Sequence, residues 1–314
     1  MEIFVWGGIF IVSLVALIKG ADWVLDSAQK IGLALGMSPF LVGVLIVGFG
    51  TSAPELVSSI FGMLSGATEI PVANAVGSNI ANILLIIGLS AIFAKGPLIA
   101  TKKLIDIEIP LLLLSTFFFI GVAYDGVVSL IESILLLTAF LVYLAYSLIH
   151  KDGEDASALS AEAKPKVSAA TIVLLIVGFA FLIGGAKYLI DAVLALSAIA
   201  NIPVGVITVL AVAVGTSLPE LMVSIKAAMD NNPELSLGNI FGSNIFNIFL
   251  VVGGSGLLGT MTIDAATLTI ALPTLVGATL FLVVSGISNK IHTWEGAFFI
   301  LVYVLFVLKL FGVA

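Results

Sequence analysis

The sequence predicts an all-α integral membrane protein of ten transmembrane helices, built as two inverted five-helix repeats, and three observations carry that reading. Of the 314 residues 61% are hydrophobic and 10% charged, with a mean hydropathy of +1.27. Soluble domains sit nearer half apolar and a quarter charged, so the surrounding solvent must be lipid. Apolar runs of about 20 residues, enough to span a bilayer as a helix, recur along the chain, whereas β-barrel alternation is absent. Two stretches then repeat at one spacing of 165 residues: GTSAPELVSSI (Gly50–Ile60) with GTSLPELMVSI (Gly215–Ile225), and NAVGSNIANIL (Asn74–Leu84) with NIFGSNIFNIF (Asn239–Phe249). Between Gly50–Gly88 and Gly215–Gly253, 18 of 39 positions are identical.

Taken in order, hydropathy and helix breakers place spans near 3–20, 39–64, 70–94, 104–123, 126–149, 168–189, 203–229, 234–258, 265–285 and 293–311. The opening MEIFVWGG has an acid and no basic n-region, and reads as a first span rather than a signal peptide. One polar stretch, KDGEDASALSAEAKPK (Lys151–Lys166), divides five spans from five. The expected organisation is therefore a repeat over 1–149, a cytoplasmic linker over 150–167 and a second repeat over 168–314. The linker is too short for a regulatory domain and has a solvated composition.

Lysines set the orientation. With the N-terminus outside, Lys19, Lys30, Lys95, Lys102, Lys103, Lys151, Lys164, Lys166, Lys226 and Lys290 fall inside, and only Lys187 and Lys309 outside. Ten against two is a strong positive-inside signal, so a multi-pass protein of the cell membrane with both termini outside is expected. An odd number of spans per repeat turns the second copy upside down, the plan of secondary transporters whose sites lie at the midplane. Outside the core of the repeat, Gly20 and Asp26 still fall on Gly185 and Asp191.

Composition excludes several functions. The net charge is -7, arginine is absent, and no basic cluster suits nucleic acid. The lack of cysteine rules out disulfides, thiolate metal sites and thiol catalysis. No cofactor and no obligate protein partner are expected; the partners are the lipid bilayer and small cations.

Glu55 and Glu220 lie well inside the second and seventh spans, where an ionisable group is costly and is a functional candidate by default. The bland alternative, a protonated glutamate bonded between helices, does not explain why each copy sits among small oxygen-bearing residues. Pro54 and Pro219 have no N–H to donate, and their rings clash with the carbonyls of Gly50 and Gly215. The helices should open there and free carbonyls around Gly48 to Thr51 and Ala213 to Thr216, which is tolerated at membrane depth where it lines a site. Thr51 and Ser52 stand four and three residues before Glu55, so all three face one point. Thr216 and Ser217 repeat that spacing before Glu220.

On the third and eighth spans, Asn74, Ser78 and Asn82 form a polar stripe, and Asn239, Ser243 and Asn247 repeat it. Ser78, Asn82, Ser243 and Asn247 are read as cation ligands. Asn79 and Asn244 point off the stripe and are read as helix-packing residues, with Gly77 and Gly242 as small-residue contacts. The donor set is then all oxygen, which suits Ca2+ and Na+ better than transition metals. Two carboxylates are neutralised by one Ca2+ or by sodium ions in the same cavity, and competition for one charged site is the physical core of an exchanger. Glu132 lies inside the fifth predicted span but has no acid 165 residues on, which points to a structural or outer-vestibule role. Asp22, Asp26 and Lys30 share a helical face, with Asp26 and Lys30 placed to pair. His150 and His292 fall at helix ends.

At these residues the sequence resembles the cation/Ca2+ exchanger superfamily, specifically its prokaryotic Na+/Ca2+ exchanger-like members. The two signature repeats of that family match GTSAPE with GSNIAN and GTSLPE with GSNIFN, and the resemblance covers the whole chain. It implies Glu55 and Glu220 as the main Ca2+ ligands. Thr51, Ser52, Thr216, Ser217, Ser78, Asn82, Ser243 and the carbonyls of Gly48 and Ala213 complete the Ca2+ and Na+ positions. It further implies that the first and sixth helices slide across the core to expose the site to alternate sides. The Thr-Ser-x-Pro-Glu form is similar to the sodium-dependent branches. Asn247 stands where several family members carry aspartate, which argues against a K+-cotransporting subtype.

The runner-up is a Ca2+/H+ antiporter on the same scaffold, with protons on Glu55 and Glu220 in place of sodium. A cation channel would gather rings of equivalent residues around a pore axis, unlike an inverted repeat within one chain. An intramembrane hydrolase would need a serine with a base or an aspartate pair, and no histidine lies within a predicted span.

Overall fold

Glycine and proline decide where this chain bends and where it packs closely, and not every one of them interrupts a helix. The computed structural model describes residues 2–35, 48–99, 104–149 and 167–312. Predicted features at 39–47 and 150–166, with Lys102, Lys103, Lys151, Lys164 and Lys166, lie outside the described residues.

The first half runs α1 (Glu2–Ala34), α2 (Gly48–Thr51), α3 (Ala53–Leu64) and α4 (Ile70–Ile80). Helix α4 continues through a π turn (Ala81–Ile86) into α5 (Ile87–Phe93). Strand β1 (Leu98–Ile99) and a π turn (Leu104–Glu108) precede α6 (Ile109–Ala123); β2 (Val127–Val128) precedes α7 (Leu130–Ile149). The second half begins with α8 (Ala169–Ala200). Next come α9 (Val204–Ile207), a π turn (Thr208–Val212), α10 (Ala213–Thr216) and α11 (Leu218–Met229). After α12 (Pro233–Phe246) a π turn (Asn247–Val252) leads to α13 (Gly253–Ser255) and a 3-10 turn (Gly256–Leu258). The chain closes with β3 (Met261–Thr262), a π turn (Thr267–Ala271), α14 (Leu272–Ile287), β4 (Lys290–Ile291) and α15 (Thr293–Leu310).

Among the described residues seven helices are long and apolar enough to cross a membrane, and the pair 204–216 and 218–229, bent by 48°, makes an eighth. The chain is an all-α, multi-pass membrane protein. The spans Ile70–Phe93 and Pro233–Leu258 are 78% and 67% buried and form the centre, whereas α1 and α8 are 17% and 28% buried and lie at the periphery.

Those two peripheral helices depart most from the sequence expectation. They run 33 and 32 residues instead of ending near 20 and 189. Gly20 and Gly185 are contact points rather than breaks: a β-carbon on Gly20 would stand 2.7 Å from the Gly178 carbonyl, and one on Gly185 2.8 Å from Leu17 Cα. Glycine thus lets the two backbones touch, and the pair is sealed by Leu17, Ala21, Leu182, Ala186, Leu189 and Val193. On α1, Asp22 pairs with Lys19 at 3.3 Å, rather than Asp26 with Lys30. Both partners are exposed, so the pair contributes little stability.

Two short strand pairs, unanticipated from sequence, clip the halves together: β1 with β4 and β2 with β3, both antiparallel. The β2 pairing delays the fifth helix to Leu130, so Glu132 sits in its first turn. There Glu132 accepts from Ser129 N at 2.7 Å and Ser129 Oγ at 2.8 Å. Glu295 closes the same kind of capping box on α15, accepting from His292 N at 2.7 Å. Glu132 therefore does have an acidic counterpart, 163 residues on. The spacing changes because the loop after Gly253 is two residues shorter than that after Gly88, so a fixed offset of 165 overlooks it. The Thr116 and Thr279 hydroxyls, 3.4 Å apart where α6 meets α14, share the 163 spacing.

Candidate ion-binding site

Both predicted helix breaks occur, and each places a glutamate where a helix begins. α2 gives way to α3 at Ser52, and α10 to α11 at Ser217, with a proline in each new first turn. Glu55 and Glu220 occupy those first turns, where unpaired backbone N–H groups favour negative charge. Neither Ser52 nor Ser217 spends its hydroxyl on capping, which leaves both for other partners.

The first turns are held from the facing helices. Asn74 Nδ2 donates to Glu55 O (3.2 Å), Ser58 Oγ (3.2 Å) and Ser59 Oγ (3.1 Å). Asn239 Nδ2 donates to Glu220 O (3.4 Å) and Ser224 Oγ (3.0 Å). Asn74 and Asn239, predicted as part of the polar stripes, thus anchor the helices that carry the glutamates. Gly77 lets α4 approach the chain before α10, since a β-carbon there would stand 2.6 Å from Val209 O. At Gly242 the described residues place nothing within 4 Å, so the matching contact is not found among them.

Glu55 and Glu220 are each 1% exposed. Ser217 Oγ donates to Glu55 Oε1 at 3.2 Å. Ser243 Oγ donates to Glu220 Oε1 at 3.2 Å. Ser78 Oγ instead donates to Ala213 O at 3.3 Å, as does Thr216 Oγ1 at 3.3 Å. The Ala213 carbonyl also receives Ser217 N–H at 3.1 Å, so it is engaged rather than bare. Thr51 is half-buried, and Gly48 opens α2.

The remaining oxygens carry the chemistry. Glu55 Oε2, Glu220 Oε2, Ser52 Oγ, Asn82 Oδ1 and Asn247 Oδ1 are buried and have no hydrogen-bond partner among the described residues. A buried acceptor without a donor is costly. Two carboxylate, one hydroxyl and two amide oxygens are a donor set of the kind a hard cation takes. Asn82 and Asn247 reach it from π turns, a distortion frequent at functional sites. Asn79 and Asn244 behave as inter-helix residues, as read from sequence, but with specific partners. Asn79 Nδ2 donates to Asn244 O (3.0 Å), Asn82 Nδ2 to Asn244 Oδ1 (2.9 Å), and Asn247 Nδ2 to Asn79 Oδ1 (3.0 Å). Their identical place in the two repeated motifs was the available signal; that their bonds run between repeats was not visible.

A multi-pass helical protein with two buried carboxylates among hydroxyl, amide and carbonyl oxygens has the donor chemistry of a candidate hard-cation site. A family model described as sodium/calcium exchanger protein matches residues 5–149 and 170–312, and the chain belongs to that family. It is 33% identical over 303 residues to an uncharacterised membrane protein of Methanocaldococcus jannaschii, covering 96% of this chain and 97% of that one. It is 31% identical over 344 residues to sodium/calcium exchanger MaX1 of Methanosarcina acetivorans, again covering 96% and 97%. Among solved structures it is similar to the sodium-calcium exchanger NCX_Mj soaked with 100 mM Na+ and 10 mM Sr2+. That match has a TM-score of 0.67 and 32% identity over 96% of this chain and 97% of the other. The same exchanger soaked with zero Na+ and Ca2+ gives a TM-score of 0.65 at 32% identity, covering 98% and 99%. The family is one of transporters, not enzymes.

Proposed function

We propose that this chain is a secondary active antiporter that exchanges Ca2+ for Na+ by alternating access at the Glu55–Glu220 site. One observation carries the reading: five buried, unpartnered oxygens are drawn from both repeated motifs, two of them belonging to the carboxylates themselves. Glu55, Glu220, Ser52, Asn82 and Asn247 are the proposed principal ligands. Thr51, Thr216, Ser217, Ser78, Ser243 and the Gly48 and Ala213 carbonyls complete the sodium and calcium positions as hydroxyl and carbonyl partners exchange. The names of MaX1 and NCX_Mj as sodium/calcium exchangers support Na+ and Ca2+ as the cargo.

The proposed topology is ten spans in two inverted repeats, 1–149 and 168–314, joined by a cytoplasmic linker, in the cell membrane with both termini outside. The eight spans above, with the apolar helices that begin at Ala53 and Leu130, support that number. The division of the family match at 149 and 170 supports the two repeats. One Ca2+ or a set of Na+ ions neutralises the two carboxylates, and an uncompensated pair resists crossing the low-dielectric core. That coupling favours exchange over leak. The closely packed α1–α8 pair is the element proposed to slide and change the exposed side.

The test is 45Ca2+ uptake into proteoliposomes loaded with Na+ and diluted into Na+-free buffer, with K+-loaded and pH-gradient controls. Uptake that requires internal Na+ and survives collapse of the pH gradient is expected. Uptake driven only by a proton gradient would reassign the chain to Ca2+/H+ antiport, and uptake needing neither gradient would indicate a channel.

A further inference from the structure

We infer that Asn79 and Asn244 are positioning residues for the ion site: each accepts the amide N–H of the opposite repeat's asparagine and so sets which edge of Asn247 and Asn82 is left for a cation. The inference rests on the site reading above and extends it to two residues that contact no ion.

A carboxamide has donors on nitrogen and acceptor capacity on oxygen, so committing one end fixes the other. A backbone carbonyl only accepts, so the 3.0 Å contact with Asn244 O requires Asn79 to present Nδ2 there. Asn79 Oδ1 then faces Asn247, which must present Nδ2, at 3.0 Å, and keep Oδ1 free. Asn247 Oδ1 is one of the buried unpartnered oxygens. In the mirror arrangement Asn244 Oδ1 accepts Asn82 Nδ2 at 2.9 Å, and Asn82 Oδ1 is left unpartnered. An amide released from either lock could turn over and offer two N–H donors, which repel a cation.

All four asparagines are at most 1% exposed, so water does not compete for these bonds. The two locks differ. Asn79 is held by two bonds, whereas Asn244 Nδ2 has no partner and its side chain is held only through Oδ1. Because each lock spans the two repeats, ligand orientation is tied to the register of α4 against α12.

Two double-mutant cycles on Ca2+ binding, read by isothermal titration in detergent and by half-saturation of 45Ca2+ uptake, test this. Partners one shell behind a metal ligand typically cost about 10- to 100-fold in affinity. Asn79→Leu is therefore expected to weaken Ca2+ binding by about tenfold or more, and Asn244→Leu by less. Melting temperature should fall as well, because Asn79→Leu strands Asn247 Nδ2 and takes a donor from Asn244 O, so the coupling within each cycle is the deciding readout. In an Asn247→Ala background Asn79→Leu should have no further effect, and in an Asn82→Ala background Asn244→Leu should have none. Additive effects across the repeats would overturn the inference while leaving the site intact. Unchanged Ca2+ affinity in Asn82→Ala and Asn247→Ala would instead remove the site reading beneath it. Should one leucine variant fail to fold, the other cycle carries the same prediction, and Asn79→Asp, which keeps the accepting oxygen, should bind Ca2+ more tightly than Asn79→Ala.

Discussion

The two halves of the site agree in most of their supports, Asn244 Nδ2 lacking the bond that Asn79 Nδ2 makes, and disagree at the carboxylates. Asn74 and Asn239 clasp the Glu55 and Glu220 helices through equivalent bonds, and the asparagine locks run both ways between the repeats. Around the carboxylates the correspondence ends. Ser217 donates to Glu55, while Ser52, its counterpart, is unpartnered. Ser243 donates to Glu220, while Ser78 turns to the Ala213 carbonyl. The duplicated bonds involve backbone carbonyls and buried amides that tolerate no change of partner. The unmatched ones involve single hydroxyls that rotate about one bond. A pseudo-symmetric frame that holds an asymmetric set of hydroxyls is what a carrier in one of two alternate states should show.

The comparison can be broken at several points. The largest effect belongs to the carboxylates, where both halves should respond alike. Glu55→Gln and Glu220→Gln should each reduce Na+-dependent 45Ca2+ uptake by about 100-fold or more, because a buried charge loses its partner. Normal flux in either variant would sink the site assignment. Asn74→Ala should cost about 2 kcal/mol of stability, since Ser58 Oγ, Ser59 Oγ and Glu55 O lose their shared donor, and Asn239→Ala less, a difference readable as melting temperatures in detergent.

Sharper for the asymmetry is the serine pair. Under the proposed alternating access, Ser217→Ala should raise half-saturating Ca2+ about tenfold, and Ser52→Ala less, when assayed from one membrane face. From the opposite face the order should reverse. Equal effects from both faces would show that the hydroxyls do not exchange roles. Smallest are the capping boxes: Glu132→Ala and Glu295→Ala should each cost about 1 kcal/mol of stability and leave half-saturation unchanged.

Much of this was legible in residues that must be chemically particular. A glutamate inside an apolar run, a proline before it and an asparagine stripe on the facing span each have few structural explanations, and their duplication marked the candidate site. The lengths of α1 and α8 were not legible, because glycine marks both a break and a close contact. The capping glutamates were obscured by a loop that changes the repeat spacing.

By itself the sequence determined the membrane class, the duplicated motifs, the two carboxylates and the oxygen character of the candidate site, because hydropathy and donor chemistry are properties of residues. Only the tertiary structure decided which hydroxyl meets which carboxylate and which amide edge stays free. Those choices depend on the register of helices 165 residues apart in the chain, where a few tenths of an ångström decide whether a hydrogen bond forms.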